Sequence, residues 1–154
     1  MKYFTLNEMT RSATAKRLGI NNTPDKEVEQ NLIALVDKVL DPLRKLYGKP
    51  IVVTSGYRSP ALNSAVGGAK SSQHTTGQAA DIRSLNDTRD DNMELLRSLL
   101  RSGLVFDQII AEYVDEKGRP DWIHVSYKRT GNRGNKLTAR RIGGSTQYSV
   151  GIKL

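Results

Sequence analysis

The only two histidines of the chain, His74 and His124, each lie in a segment that suits a metal ligand. Small residues follow His74 and allow the backbone to turn tightly before Asp81, which we expect on a strand. His124 lies in an apolar segment that also reads as a strand, whose alternate side chains share one face. Two imidazoles and one carboxylate leave a fourth position open for water, as a catalytic zinc requires. We therefore predict one divalent ion, zinc by default, bound by His74, Asp81 and His124.

The chain contains no cysteine, so thiolate metal sites and disulfides are excluded and the ligands must be nitrogen and oxygen. Zinc lowers the pKa of its bound water to about 7, and the attacking water also needs a base. Asp121, three residues before His124, is the candidate. Strict strand alternation would place it on the opposite face, so this role requires Pro120 and Asp121 to precede the strand. Two competing interpretations assign no catalytic chemistry to these residues. Asp121 could be a simple turn residue before the strand, and Asp81 could pair with Arg83.

The hydrophobic pattern predicts helices early in the chain and strands late, which favours one α+β domain over residues 1–154 with a small, mainly antiparallel sheet. A capping box at Thr5 and Glu8 predicts a helix that ends at Gly19. A long helix is expected to begin at Thr23 and Pro24, kink at Pro42 and end at Gly48. Two more helices are predicted from Ser59 to about Gly67 and from Asp90 to Ser102. The predicted strands are Ile51–Thr54, Ala79–Arg83, Phe106–Tyr113, Trp122–Tyr127 and an edge strand Thr146–Ile152.

The net charge of +8 is concentrated near the C-terminus. No Asp or Glu follows Asp121, whereas seven basic residues do: Lys128, Arg129, Arg133, Lys136, Arg140, Arg141 and Lys153. Such a block from about residue 128 favours an anionic polymer as partner, although a solvated tail is an equal alternative. The N-terminus lacks an apolar signal region and no run is long enough to span a membrane, so synthesis in the cytoplasm without a signal peptide is expected.

Two motifs resemble those of the M15 family of zinc peptidases. The first is the pattern Ser-x-His-x-x-Gly-x-Ala-x-Asp over residues 72–81, followed by an acidic residue three positions before a second histidine. The second is Ser55-Gly56-Tyr57-Arg58-Ser59, which is similar to a stretch of the same family. The resemblance runs from about Ile51 to Ser126, and motifs in this order are more specific than any one alone.

The resemblance implies an M15/Hedgehog-like fold, with helices packed on one side of the sheet and the zinc site on the sheet. It implies that Asp121 is the catalytic acid/base and that Arg58 stabilises the oxyanion or holds a substrate carboxylate. Ser72 and Gln73 are expected to line the substrate cleft. The implied substrates are peptide stems of bacterial peptidoglycan, cleaved at D-Ala-D-Ala or cross-link bonds, or alternatively at the L-alanyl-D-glutamate bond.

Several functional alternatives remain open at the level of the sequence. The missing signal and the basic segment suggest a phage or prophage lysis enzyme, with that segment bound to an anionic cell-wall polymer. A non-catalytic, zinc-containing binding module is the alternative of another class, and the acidic residue at position 121 favours the enzyme. Few aromatic residues are interspersed in the basic block, so no nucleic acid partner is expected. We expect a monomer.

Overall fold

The protein is described by a computed structural model over residues 1–154, and its fold is α+β as predicted. A mixed sheet of six strands has the order β1-β2-β4-β3-β5-β6. All neighbouring strands are antiparallel except β3 and β5, which are parallel. The strands are β1 (Ile51–Ser55), β2 (Ala79–Ser84), β3 (Gln108–Glu112), β4 (Trp122–Ser126), β5 (Asn135–Ile142) and β6 (Ser145–Val150).

Helices cover the sheet with apolar side chains that form the core. They are α1 (Leu6–Thr10), α2 (Ala13–Leu18), α3 (Lys26–Leu35), α4 (Asp41–Tyr47), α5 (Pro60–Ala65) and α6 (Arg89–Arg101). A π-helical turn, Val36–Leu40, joins α3 to α4, and a 3-10 turn, Gln73–Thr76, precedes β2. Leu32, Leu40 and Leu96 of the helices are completely buried together with Ile82 and Ile123 of the sheet. Burial of such side chains stabilises the fold by about 1.5–3 kcal/mol each.

The strand alternation divides the sheet into a core face and a second face. Ile82 of β2 and Ile123 of β4 belong to the apolar core, whereas their neighbours Asp81 and His124 do not. Because successive side chains of a strand point to opposite faces, Asp81 and His124 lie together on the second face. The core helices therefore support the sheet from one side and leave the other side available for a functional site.

The first predicted helix is wrong in its extent. The capping box is confirmed, since Thr5 Oγ1 accepts from the Glu8 amide at 3.2 Å and Glu8 Oε1 accepts from the Thr5 amide at 3.3 Å. The helix ends at Thr10, however, because Arg11 is extended and Ser12 caps a new helix. The Ser12 hydroxyl accepts from the Ala15 amide at 3.1 Å, which is a local alternative to continuing the first helix.

The long helix begins two residues later than predicted. Asp25 is its N-cap and accepts from the Val28 amide at 2.9 Å, so Thr23 and Pro24 lie outside the helix. The helical path does continue through Pro42, where the preceding π-helical turn replaces the ordinary hydrogen-bond pattern near a residue that has no N–H. Gly48 ends the path in the left-handed conformation, as predicted.

The basic C-terminal segment forms sheet structure. It contains β5, which the sequence did not predict, and the edge strand β6, which it did. Arg129 is paired with Glu27, and Arg133 is paired with the buried Asp107 at 2.8 Å. Part of the positive charge is therefore used within the fold. No helix of the structure is long and apolar enough to cross a membrane.

Candidate metal centre

His74 is held in the 3-10 turn before β2 with one ring nitrogen directed to the backbone. The Ser72 hydroxyl accepts from the His74 amide at 3.2 Å and begins the turn, and Gly77 ends it with a φ of 73°. A side chain at Gly77 would approach the Val28 carbonyl oxygen at 2.7 Å, so this close packing requires glycine. His74 Nδ1 lies 2.7 Å from the Gly56 carbonyl oxygen. Because a carbonyl only accepts, Nδ1 carries the hydrogen and Nε2 is free to bind a metal.

Asp81 and His124 face each other across two adjacent antiparallel strands. Their Cα atoms are partners in the register of β2 and β4. Asp81 Oδ1 lies 3.1 Å from His124 Nδ1 and 3.3 Å from His74 Nε2. The sheet register and the 3-10 turn together thus bring all three predicted ligands to one point, where their ligand atoms lie within 4.8 Å of one another.

The separations and chemistry of these donors fit a tetrahedral divalent cation. Zinc bonds of about 2.0–2.1 Å to nitrogen and oxygen imply ligand atoms about 3.4 Å apart, close to the two distances from Asp81 Oδ1. The three residues are the only group of His, Cys, Asp and Glu side chains that converges in this way. Three protein ligands leave room for water or substrate, which is typical of catalytic rather than structural zinc.

Electrostatics keep the Asp81 carboxylate ionised and ready to bind a cation. Burial raises the pKa of Asp81, but the nearby His74 and His124 imidazoles lower it more, and the net pKa lies well below its usual value. Arg58 approaches the second carboxylate oxygen, with Nη2 3.5 Å from Asp81 Oδ2.

Arg58 lies beside Asp81, one of the three candidate ligands. Its Nε donates to the Ser55 hydroxyl at 3.0 Å and its Nη1 donates to Asn63 Oδ1 at 3.2 Å, so the guanidinium is held in a defined orientation. Its backbone amide donates to the His74 carbonyl at 3.0 Å, which joins the two motifs directly. The side chain is 18% exposed, which leaves part of it accessible to a substrate.

Asp121 precedes β4, as its predicted role requires, but it does not reach the metal ligands. Its amide donates to the Glu112 carbonyl at 3.0 Å, which fixes its backbone beside the end of β3. Because Asp121 lies in a bend outside the strand, strand alternation does not fix the direction of its side chain. Its side chain is exposed and does not line the cavity that contains His74.

Glu112, which the sequence analysis did not single out, lies in that cavity instead. It is the last residue of β3, and its cross-strand partner is Trp122, two residues before His124. Burial and the negative charge of Asp81 raise the pKa of Glu112 to about 7, although His124 and Arg58 oppose the shift. A carboxyl group with this pKa is suited to exchange protons near neutral pH. Glu112 is the one charged residue of β3, and this is the signal by which the sequence could have indicated it.

The cavity at the metal ligands has a volume of about 550 Å³ and is open to a substrate. Both Ser72 and Gln73 line it. Gln73 Nε2 donates to Asp107 Oδ2 at 2.9 Å, which ties this wall to the Asp107–Arg133 ion pair. Other walls are formed by Tyr113, Trp122, Arg133 and Tyr148.

Tyr148 belongs to the C-terminal hairpin, which is formed by β5 and β6. The same hairpin contacts Tyr113, another residue that lines the cavity. The Tyr113 and Trp122 rings meet edge to face at 5.1 Å, and the Arg141 guanidinium lies 4.1 Å from the Tyr113 ring centre. The Tyr113 hydroxyl is 3.0 Å from Thr146 Oγ1. The basic hairpin therefore takes part in the architecture of the cleft.

A family model described as Peptidase M15 matches residues 2–126. The chain belongs to the peptidase M15 family. The protein is thus a peptidase of a family that is generally metal-dependent, and His74, Asp81 and His124 are its group able to bind a metal. The matched range contains every residue of that group, whereas β5 and β6 lie beyond it.

A solved structure is similar to this M15 peptidase. It is the crystal structure of the Serratia marcescens L-Ala D-Glu endopeptidase ChiX, with 22% sequence identity and a TM-score of 0.40. The similarity covers 67% of this chain and 87% of that chain. No curated protein matches the sequence.

Proposed function

We propose that this M15 peptidase uses one zinc ion to hydrolyse an amide bond in the peptide stems of bacterial peptidoglycan. The observation that carries the proposal is the convergence of His74 Nε2, Asp81 Oδ1 and His124 Nδ1 in an open cavity. Nitrogen and oxygen donors at near-tetrahedral separations favour zinc. When bound, zinc lowers the pKa of a coordinated water to about 7 and polarises the scissile carbonyl.

Glu112 is the proposed acid/base of the reaction. Its carboxylate accepts a proton from the attacking water and then returns that proton to the leaving amine. Its position in the cavity with His74, Asp81 and His124 supports this role. Asp121, which the family resemblance implies, is the competing candidate, and its exposed side chain outside the cavity speaks against it.

Arg58 is the proposed stabiliser of the developing oxyanion. Its guanidinium is fixed by Ser55 and Asn63 and is partly accessible. A preorganised cation beside a partly closed cavity stabilises negative charge more strongly than it would in bulk water. Ser72 and Gln73, which line the same cavity, are proposed to contact the peptide.

An enzyme is favoured over a non-catalytic zinc-binding module by Glu112. A module that only binds a partner has no need for a half-buried carboxyl group in the same cavity as Asp81, because ionisation of that group costs stability. The combination of a metal group, an acid/base and an accessible guanidinium in one cavity supports hydrolysis.

The bond that is cut can be identified from digestion products. Purified sacculi are incubated with the zinc-loaded protein and with an Asp81→Ala variant, and soluble fragments are analysed by mass spectrometry. We expect fragments with new termini at a D-Ala-D-Ala or cross-link bond, or at the L-alanyl-D-glutamate bond, and none from the variant. Equal fragment release by both proteins would contradict the proposed site.

The exposed cations of the C-terminal hairpin are proposed to attract the enzyme to an anionic wall polymer, as in a phage-type lysis enzyme. Lys136 and Arg140 are exposed on β5, and Lys153 is exposed after β6. Neutralising these three with glutamine should weaken sedimentation with sacculi at low salt and have little effect at high salt, because the attraction is screened. Unchanged sedimentation at low salt would show that the hairpin is not the anchor.

A further inference from the structure

A second cavity, of about 740 Å³, adjoins the metal cavity at Arg58. Arg58 lines both cavities, and Ser55, which accepts a hydrogen bond from its Nε, lines the larger one. The two cavities are therefore neighbours, with Arg58 between them. Residues of α2, of the segment before it and of the end of β1 form the walls of the larger one.

The wall that precedes α2 is fixed against the Arg58 turn. The Tyr57 amide donates to the Met9 carbonyl at 2.7 Å, and the Asn22 side chain donates to the carbonyls of Thr10 and Tyr57 at 2.7 and 3.0 Å. A Cβ at Gly56 would lie 2.2 Å from the Met9 carbonyl oxygen, so the two backbones are in direct contact. The cavity is thus a built part of the fold, next to the turn that carries Arg58.

The lining of this cavity is cationic and contains no carboxylate. Its charged residues are Arg58 and, at the exposed rim, Arg11 and Lys16. None of the ion pairs in the structure involves Arg11 or Lys16. Hydroxyl groups complete the lining: Ser12, Thr14, Thr54, Ser55 and Tyr57. A concave surface of this composition attracts an anion and offers several hydrogen-bond donors to its oxygens.

We propose that this cavity binds a free carboxylate of the substrate at a residue beside the scissile bond, with Arg11 and Lys16 as its recognition residues. The inference rests on the proposed function in its L-alanyl-D-glutamate form, because it places a glutamate of the same peptide beside the scissile bond. A glutamate linked through its γ-carboxyl carries such a free α-carboxylate. The preferred substrate class is therefore a stem peptide in which this carboxylate is free, not one in which it is a carboxamide.

Two synthetic stem peptides that differ only at this group test the assignment. One carries the glutamate α-carboxylate and the other the α-carboxamide, and calorimetry measures their binding to the zinc-loaded protein. We expect the wild type to bind the carboxylate form about tenfold more tightly, or by about 1.4 kcal/mol. In the Arg11→Gln/Lys16→Gln double variant the preference should fall below about twofold while the affinity for the carboxamide is retained.

The control is Arg17→Gln/Lys26→Gln, which removes the same charge from exposed residues outside the cavity. It should keep the wild-type preference, and thermal unfolding verifies that both double variants are folded. The inference is overturned if the wild type shows no preference, if neither peptide binds, or if the preference survives in the Arg11/Lys16 variant. Binding with the expected preference but without cleavage would instead overturn the proposed peptidase reaction alone.

Discussion

The Nδ1 atom of His74 lies 2.7 Å from the carbonyl oxygen of Gly56. This contact links the turn after β1 to the first metal ligand and leaves the other ring nitrogen directed at Asp81. The same Gly56 lies against Met9, so α1, the Arg58 turn and His74 form one packed unit. The orientation of a metal ligand thus depends on the N-terminal helix.

Replacing Gly56 with alanine should weaken both the fold and the metal site. The added Cβ would lie 2.2 Å from the Met9 carbonyl oxygen, so the turn must shift and with it the acceptor of His74 Nδ1. We expect a loss of about 1–3 kcal/mol in the free energy of unfolding and about tenfold weaker zinc binding.

Calorimetric zinc titration and thermal unfolding measure these two effects. Gly103→Ala is the control, because Gly103 has a φ of 71° but open space around its Cβ position. It should lower stability without changing zinc affinity. Wild-type zinc affinity in Gly56→Ala would contradict the proposed link between this turn and the metal ligand.

Amide substitutions at the two acidic candidates separate their roles. Glu112→Gln should lower kcat by about 10²–10⁴-fold while one zinc ion remains bound, because the proton acceptor is lost and the ligands are intact. Asp121→Asn should change kcat less than about threefold, since this exposed side chain lies outside the cavity. The opposite ranking in steady-state kinetics, with equal zinc contents, would assign the acid/base role to Asp121.

The raised pKa of Glu112 predicts an unusual dependence of stability on pH in the metal-free protein. Between the ordinary carboxyl pKa of 4.5 and the folded value of about 7, the folded state binds more protons at Glu112 than the unfolded state. Ionisation of this group therefore lowers stability as pH rises through this range, by about 1–3 kcal/mol. Glu112→Gln should remove that loss.

Urea unfolding of the metal-free wild type and Glu112→Gln tests this sign. We expect the variant to gain stability relative to the wild type between pH 4.5 and pH 8, and the difference to be constant at lower pH. A difference that does not change with pH would show that burial does not raise the Glu112 pKa.

The contribution of Asp107 to folding stability should depend on pH in the opposite sense. Its side chain is fully buried and accepts hydrogen bonds from Arg133 and Gln73, which outweigh burial and lower its pKa to about 2. Its contribution to stability, about 2 kcal/mol, is present above pH 3.9 and is lost as pH falls towards 2. Asp107→Asn should therefore be destabilised at pH 7 and much less so near pH 2.

Denaturant unfolding at the two pH values checks this prediction. Asp90→Asn is the matched control, because Asp90 pairs with Arg119 at 2.9 Å but is 81% exposed. Such surface pairs contribute little, so the control should change stability by less than about 0.5 kcal/mol. An equal cost of Asp107→Asn at both pH values would contradict an electrostatic origin.

The metal group was predictable from the sequence because its members are rare and closely patterned. Only two histidines exist, and His74 and Asp81 lie in one short motif. The place of Glu112 in the cavity was not predictable in the same way, because it depends on the pairing of β3 with β4, which no local pattern specifies. The catalytic role of Asp121 stays a prediction. The parallel strand β5 was missed because its sequence, Asn135–Ile142, lacks a regular apolar alternation.

Restoration of activity by zinc tests the central claim most directly. The protein is stripped with a chelator, dialysed and titrated with zinc while the release of soluble peptide from purified sacculi is measured. We predict no release from the stripped protein and full release at one zinc per chain, with no recovery in the His124→Ala variant. Undiminished release from the stripped protein, or equal recovery in that variant, would contradict a catalytic metal held by His74, Asp81 and His124.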